Sequence, residues 1–304
     1  MIQITKKDYN QVPEPLTRKG TYRQIEKAVL SGDGAVYNTT YYKDLDVVNK
    51  LKAFSVHKDI LEIGDKPKCY YCESYVEHVA VLQVEHFRPK AKVDTIDNNN
   101  LPHAGYYWLG LEWSNLLLSC PNCNGKSAKG NRFPIVDFNN RTTAINPIRN
   151  SPLSFDRTYC IANLSPLLDE EPLLINPEYE DPTPYLTFDE FGQIYGVDEK
   201  GQKTVEILQL YRGPLLAARQ AKLNTIVENI NLACAARQIG KIDDNGLTVW
   251  LDNECTKVLA LDNVRNEYCL WGRHIITNFE SCVVSKITIY KDQLRDVFQQ
   301  VRQR

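Results

Sequence analysis

Cys69 and Cys72, followed by Cys120 and Cys123, form two C-x2-C pairs, and no other residues of this chain are so plainly spaced for chemistry. Each pair on a tight turn, Lys68-Cys69-Tyr70-Tyr71-Cys72 and Cys120-Pro121-Asn122-Cys123, aims two sulfurs at one point. Two such turns complete the four bonds of a tetrahedral Zn2+, so the spacing predicts a closed structural zinc site. The gap between the pairs is longer than a compact zinc ribbon allows, so the metal must staple the two ends of an inserted element. That element and its exit carry Glu85-His86, Asn115 and the Asn124 that directly follows the last cysteine. An imidazole such as His86 can take a proton from water near neutral pH. A carboxylate and an amide oxygen, here Glu85 and Asn124, suit a hard cation such as Mg2+ or Mn2+. Activated water and a cation on phosphate are the two needs of phosphodiester hydrolysis. Successive side chains leave opposite faces of a regular strand, however. Either the strand ends or bulges at Glu85-His86, or Glu85 is not a ligand.

The elements that position these residues can be read coarsely. Residues 1–64 open as an extended stretch with Pro13 and Pro15. Helical patterns follow around Tyr22–Leu30 and Leu45–Phe54, interrupted by Gly32-Asp33-Gly34. A cysteine-bounded module spans 65–135, in which Val76, Val79, Val81 and Val84 predict a strand running to His86, with Pro89 ending it. Asp94–Pro102 reads as a surface loop, and Tyr106-Tyr107-Trp108-Leu109 returns the chain to the core. Residues 136–200 are proline-rich, including Pro147 and Pro152, and suit a wrapping segment with short strands at Tyr185–Phe188 and Gln193–Val197 around Gly192. From 201 to 304 the texture is helical. Gly213-Pro214 opens one helix, and further helices are expected over Leu247–Leu261 and Tyr290–Val301.

Composition narrows the class. With 304 residues, 43% hydrophobic and 24% charged, the chain can bury a sizeable core. The expectation is a cytoplasmic protein without a membrane span: nine cysteines show no disulfide pattern, and no long apolar run or apolar signal segment is present. Cys160, Cys234, Cys255, Cys269 and Cys282 read as small hydrophobes in a core. A net charge of −2 does not advertise a nucleic-acid binder, so any such role needs a local basic patch. Arg88, Lys90 and Lys92 follow His86, and Lys126, Lys129 and Arg132 follow Asn124. Of these, Arg88, Lys90, Lys126 and Lys129 are the expected phosphate contacts.

Val84-Glu85-His86-Phe87-Arg88-Pro89-Lys90, Tyr107-Trp108-Leu109-Gly110, the run from Trp113-Ser114-Asn115 through Cys120-Pro121-Asn122-Cys123-Asn124-Gly125-Lys126, and Phe133-Pro134 resemble the HNH endonuclease superfamily in its zinc-stapled form. More narrowly they resemble the HNH proteins of Septu-type anti-phage systems and their retron-associated relatives. Leu173-Leu174-Ile175-Asn176-Pro177, the Asp181–Gly192 stretch and Thr204–Arg219 extend the likeness over residues 1 to about 225. The resemblance implies an α+β fold, with a zinc-stapled ββα-metal finger embedded in a mainly α-helical body. It implies His86 as general base, Glu85 (usually aspartate in the superfamily) and Asn124 on Mg2+ or Mn2+, and Asn115 as a brace tying the histidine loop to the following segment. It also implies an ABC-type ATPase partner, sometimes with a retron reverse transcriptase and its DNA.

Three readings compete on these residues. One is an endonuclease, with DNA favoured and RNA or tRNA as the alternative substrate. The second is a zinc module that grips nucleic acid without cutting it, and the third is a scaffold. His86 with Asn124 separates the first from the others, since a mere binder needs neither. The remaining histidines read as structural or solvated, His78 and the loop residue His103 included. Trp108 and Trp113 read as core.

Overall fold

A computed structural model describes residues 1–4, 11–94, 103–142 and 160–304. Much of the expected loop Asp94–Pro102, together with Pro147 and Pro152, lies outside these residues. The described chain is mainly helical with two small antiparallel sheets, an α+β arrangement. It divides into two compact units: Met1–Tyr185 with Gly196–Gln209, and Leu186–Tyr195 with Leu210–Arg304. The segments expected at 1–64 and 65–135 therefore share one unit.

In the first unit, α1 spans Lys19–Ser31 and stops at Gly32, whose φ of 64° is the left-handed cap that glycine adopts freely. Helix α2, Leu45–Ser55, starts at Asp44, whose carboxylate accepts from Asp46 N at 3.0 Å. Between them a 3-10 turn covers Thr39–Lys43. Strand β1 is Gln83–His86 and β2 is Leu116–Ser119, paired antiparallel with Glu85 opposite Leu117 and His86 opposite Leu116. The expected strand through Val76 and Val79 does not form. Val79 N and Ala80 N both bond to Val76 O in a turn, and Val79 and Val81 are exposed. The reason is the partner: β2 must end at Ser119 to enter the second cysteine turn, so only four residues of β1 find a ladder. Helix α3, Pro121–Asn124, is a single turn, and α4 covers Glu199–Ile207. The core holds Trp108, Trp113, Tyr70, Tyr71, Phe87 and Phe133, all nearly inaccessible.

The second unit opens with a hairpin, β3 at Leu186–Phe188 and β4 at Ile194–Gly196 (its last residue counted with the first unit), turned at Gly192 with φ of 92°. Helices α5 (Gly213–Gln238), α6 (Asp244–Ala260), α7 (Cys269–Thr277), α8 (Phe279–Cys282) and α9 (Lys291–Arg302) follow, with α6 packed against both α5 and α9. Pro214 sits in the first turn of α5, where its missing N–H costs nothing. Buried Arg219 joins the hairpin to α5 by donating to Gly192 O at 3.2 Å and Leu210 O at 3.3 Å. Among the described residues no helix is long and apolar enough to cross a membrane.

Candidate functional site

The four cysteines of the two C-x2-C pairs meet in the first unit. Their sulfurs all lie within 4.8 Å of one another and are buried, and Cys72 Sγ is 3.8 Å from Cys120 Sγ. Zn–S bonds of about 2.3 Å in a tetrahedron demand S···S edges of about 3.8 Å, so the cage fits zinc. Local backbone bonds make each knuckle: Glu73 N donates to Cys69 O at 2.9 Å, and Cys123 N to Cys120 O at 3.0 Å. Tyr70 N donates to Leu118 O at 2.9 Å and so ties the first knuckle to β2. Burial pushes the Cys69 thiol well above its ordinary range, and the neighbouring thiols do the same to Cys123. Crowded buried thiols resist losing four protons unless a shared cation balances the charge. The other five cysteines are buried, as expected of core residues.

His86 ends β1 with its half-buried ring edge-on to Tyr42, the ring centroids 4.9 Å apart and the planes at 88°. His86 Nε2 lies 3.0 Å from Gly110 O. A carbonyl only accepts, so Nε2 carries the hydrogen and Nδ1 keeps a lone pair. Desolvation holds the imidazole down to about 3, opposed by the Gly110 carbonyl and aided by Lys90 and Lys129, so the ring is neutral at pH 7.

Asn115 is fully buried and braces this histidine from behind. Its Oδ1 accepts from Arg88 N at 2.8 Å, and its Nδ2 donates to Arg88 O at 3.0 Å and Leu109 O at 3.3 Å. Phe87 N also donates to Asn115 O at 2.9 Å. The chain just after His86 is thereby fastened on both its donor and acceptor sides.

The strand stays regular, and alternation sends the Glu85 and His86 side chains to different partners. Glu85 is buried, with Oε1 2.6 Å from Lys129 Nζ, and the same ammonium donates to His86 O at 2.8 Å. Burial raises the Glu85 carboxyl above its ordinary range despite Lys129. Glu85 thus faces an ammonium that would have to give way to a metal, which answers the alternation problem against a simple ligand role. Asn124 is half-buried, with Nδ2 donating to Gln83 Oε1 at 2.9 Å. Glu85, His86, Lys90, Lys92, Asn124 and Lys126 all border one cavity of about 630 Å³.

The basic residues divide. Lys126 is exposed at the cavity and free to meet an anion. Lys90 borders it too, but its Nζ donates to Gly34 O at 3.0 Å and lies 5.5 and 5.3 Å from the ring centroids of Tyr37 and Tyr42. Arg88 and Lys129 are buried, contrary to the expectation that they face phosphate. Arg88 pairs with Glu170 at 3.0 Å and donates to Ala162 O and Leu167 O at 3.2 and 2.5 Å, while Lys129 serves Glu85 and the His86 carbonyl. A charge can enter a core only with a partner, and both partners are present. His103 is also fully committed, accepting from Gly105 N at Nδ1 and bonding Thr142 O through Nε2 at 3.1 Å each.

Sequence reading missed three contributors. Glu170 accepts from Arg88 Nε, from Tyr106 OH at 3.0 Å and from Thr142 N at 2.8 Å. Tyr42 donates to Gly110 O at 3.0 Å, and Tyr37 to Tyr107 O at 2.5 Å. Gly110 itself closes the Tyr107-Trp108-Leu109-Gly110 motif. A Cβ there would sit 2.1 Å from the Tyr37 ring, so only glycine lets the tyrosines close on this turn. Tyr42 and Glu170 carry no local pattern that marks them.

No protein-family profile matches the sequence, and no solved structure does either. Among curated proteins, Septu protein PtuB of Bacillus mycoides (strain KBAB4) is 34% identical over 187 residues, covering 61% of this chain and 57% of that protein. Septu protein PtuA of the same organism is 33% identical over 153 residues, half of this chain but 18% of that protein. Septu protein PtuB of Bacillus thuringiensis is 37% identical over 81 residues, 26% of each chain. The chain therefore spans little more than half of the first relative and less than a fifth of the second. Over these spans it is a relative of the Septu proteins.

Proposed function

We propose that the protein is a metal-dependent HNH endonuclease that cleaves nucleic acid, DNA in preference to RNA, within a Septu-type anti-phage defence complex. One observation carries the reading: the Nε2–H of His86 is spent on Gly110 O, which leaves a bare Nδ1 beside a cavity bordered by Asn124 and exposed Lys126. That is the arrangement a general base on a polyanion needs. The four-cysteine cage supports it by clamping β2 and α3, which hold Asn115's neighbour Leu116 at one end and Asn124 at the other.

In this reading Lys126 and Lys90 draw the phosphate in. The phosphate's negative charge would oppose the desolvation, and after it the lysines, that keep the ring neutral, and so raise its affinity for a proton as water is deprotonated. Asn115 holds the imidazole's backbone still, and Tyr42 limits its rotation. Asn124 would hold Mg2+ or Mn2+ through its amide oxygen, with Glu85 joining only if Lys129 withdraws. A bound cation supplies neutralisation of the charge that grows on the phosphate. The names of the relatives support a defence role. The ABC-type ATPase, and in some systems a retron reverse transcriptase with its DNA, are the partners the sequence resemblance points to.

The test is to purify the chain with its genomic-neighbour protein and assay labelled plasmid and tRNA with Mg2+, Mn2+ or EDTA. Nicking should require the divalent ion and vanish in His86→Ala, with zinc content unchanged. Intact plasmid, phage DNA and tRNA under every condition would leave a scaffold instead.

A further inference from the structure

We propose that Tyr42, contributed by the segment before the zinc module, is a positioning residue for His86, an inference that rests on the reading of His86 as the base. Three contacts converge on it. Its ring stands edge-on to the imidazole, with centroids 4.9 Å apart at 88°. Its hydroxyl donates to Gly110 O at 3.0 Å, the same carbonyl that receives His86 Nε2–H at 3.0 Å. The Lys90 ammonium lies 5.3 Å from the centroid of the Tyr42 ring.

The consequences follow from geometry. An imidazole can turn about its second side-chain torsion, which puts a ring carbon where each nitrogen stood. A rigid ring wall beside it restricts that turn, and a hydroxyl bound to the acceptor carbonyl keeps the acceptor aimed. Nε2 is then retained inward and Nδ1 outward. Tyr42 can do this because the 3-10 turn Thr39–Lys43, capped by Asn38 accepting from Thr40 N at 3.0 Å, seats it against the turn that ends at Gly110. Tyr42 need not touch the substrate or the reacting atoms.

The experiment has two arms. In the first, plasmid nicking with Mn2+ is measured for the full chain with its neighbour protein. Tyr42→Ala should lower kcat by about a hundredfold, as a misplaced base does, with KM within about threefold. Tyr42→Leu, which keeps bulk without a ring or hydroxyl, should behave the same and guards against loss of folding in the alanine variant. Tyr42→Phe should recover activity to within about tenfold of wild type, the worth of one hydrogen bond. The second arm reads the ring directly. In zinc-loaded chain with nitrogen-15 histidine, His86 should show separate Nε2–H and bare Nδ1 shifts, which move toward each other in Tyr42→Leu. Assignment comes from the signal lost in His86→Ala, and only five histidines are present. A kcat within threefold of wild type in Tyr42→Leu, or unmoved nitrogen shifts, would overturn the proposal. If the wild type cuts nothing, the base reading fails, and the nitrogen shifts alone still decide whether Tyr42 sets the ring.

Discussion

Glu170→Gln is the most revealing single change, because it strikes the histidine loop from a residue far away in sequence. Glu170 is fully buried and compensates the buried Arg88 guanidinium at 3.0 Å. The glutamine keeps an acceptor for Tyr106 OH and Thr142 N but removes the negative charge and sets an amide N–H toward Arg88 Nε. Leaving one partner of a buried ion pair uncompensated costs about 3–5 kcal/mol. Set against a typical domain stability of about 5–15 kcal/mol, that is a large fraction of what holds the first unit folded. Hydrogen exchange is the suitable assay, since the second compact unit serves as an internal control. At about 1.4 kcal/mol per tenfold, protection of amides in β1, in β2 and at Phe87, whose N–H bonds Asn115 O, should fall by about two to four orders of magnitude. Amides of α5 and α6 should hardly change. Protection within fivefold of wild type across β1 and β2 would refute the claim that Glu170 holds the loop in place.

Asn115→Ala strands the Arg88 N–H and deprives the Arg88 and Leu109 carbonyls of a donor, so a loss of about 3 kcal/mol is expected in the urea midpoint of the first unit. Asn115→Asp, which keeps the acceptor but sets a buried carboxylate oxygen against two carbonyls, should be no more stable than the alanine variant at neutral pH, and a variant as stable as wild type would deny the brace. Cys69→Ser, or chelation of the wild type, should abolish zinc binding and strip exchange protection from β2 and α3 together, because a cage of this kind contributes folding free energy directly. A protected, zinc-free finger would contradict that. Lys129→Met removes the ammonium charge and hydrogen bond that lower Glu85, whose folded pKa burial already places above the ordinary 4.5. A carboxyl raised on folding weakens the fold as pH climbs from that ordinary value through the folded one. The variant should therefore lose more stability than wild type as pH rises above the ordinary 4.5, and parallel urea midpoints over that rise would dismiss the Lys129–Glu85 coupling.

Local sequence carried a good deal of the fold. The caps of α1 and α2, the Gly213-Pro214 opening of α5 and the hairpin at Gly192 follow from residues whose backbone preferences act within a few positions. The valines before His86 misled, since β-branching favours a strand only where another strand offers a ladder, and β2 offers four residues.

The candidate site divides in the same way. Sequence by itself determined which sulfurs meet, because paired spacing fixes where two thiols on one turn can aim, and it marked His86, Asn115 and Asn124 through their place between those pairs. Only the tertiary structure decided the fate of the charges. Arg88 and Lys129 look like surface cations in the chain, yet each is drawn into the core by a carboxylate, Glu170 in one case and Glu85 in the other. Burying a charge is favourable only beside its counterpart, and where that counterpart lies is a property of the folded path rather than of neighbours in sequence. The same holds for Tyr42, which meets His86 because both bond one carbonyl of the turn at Gly110.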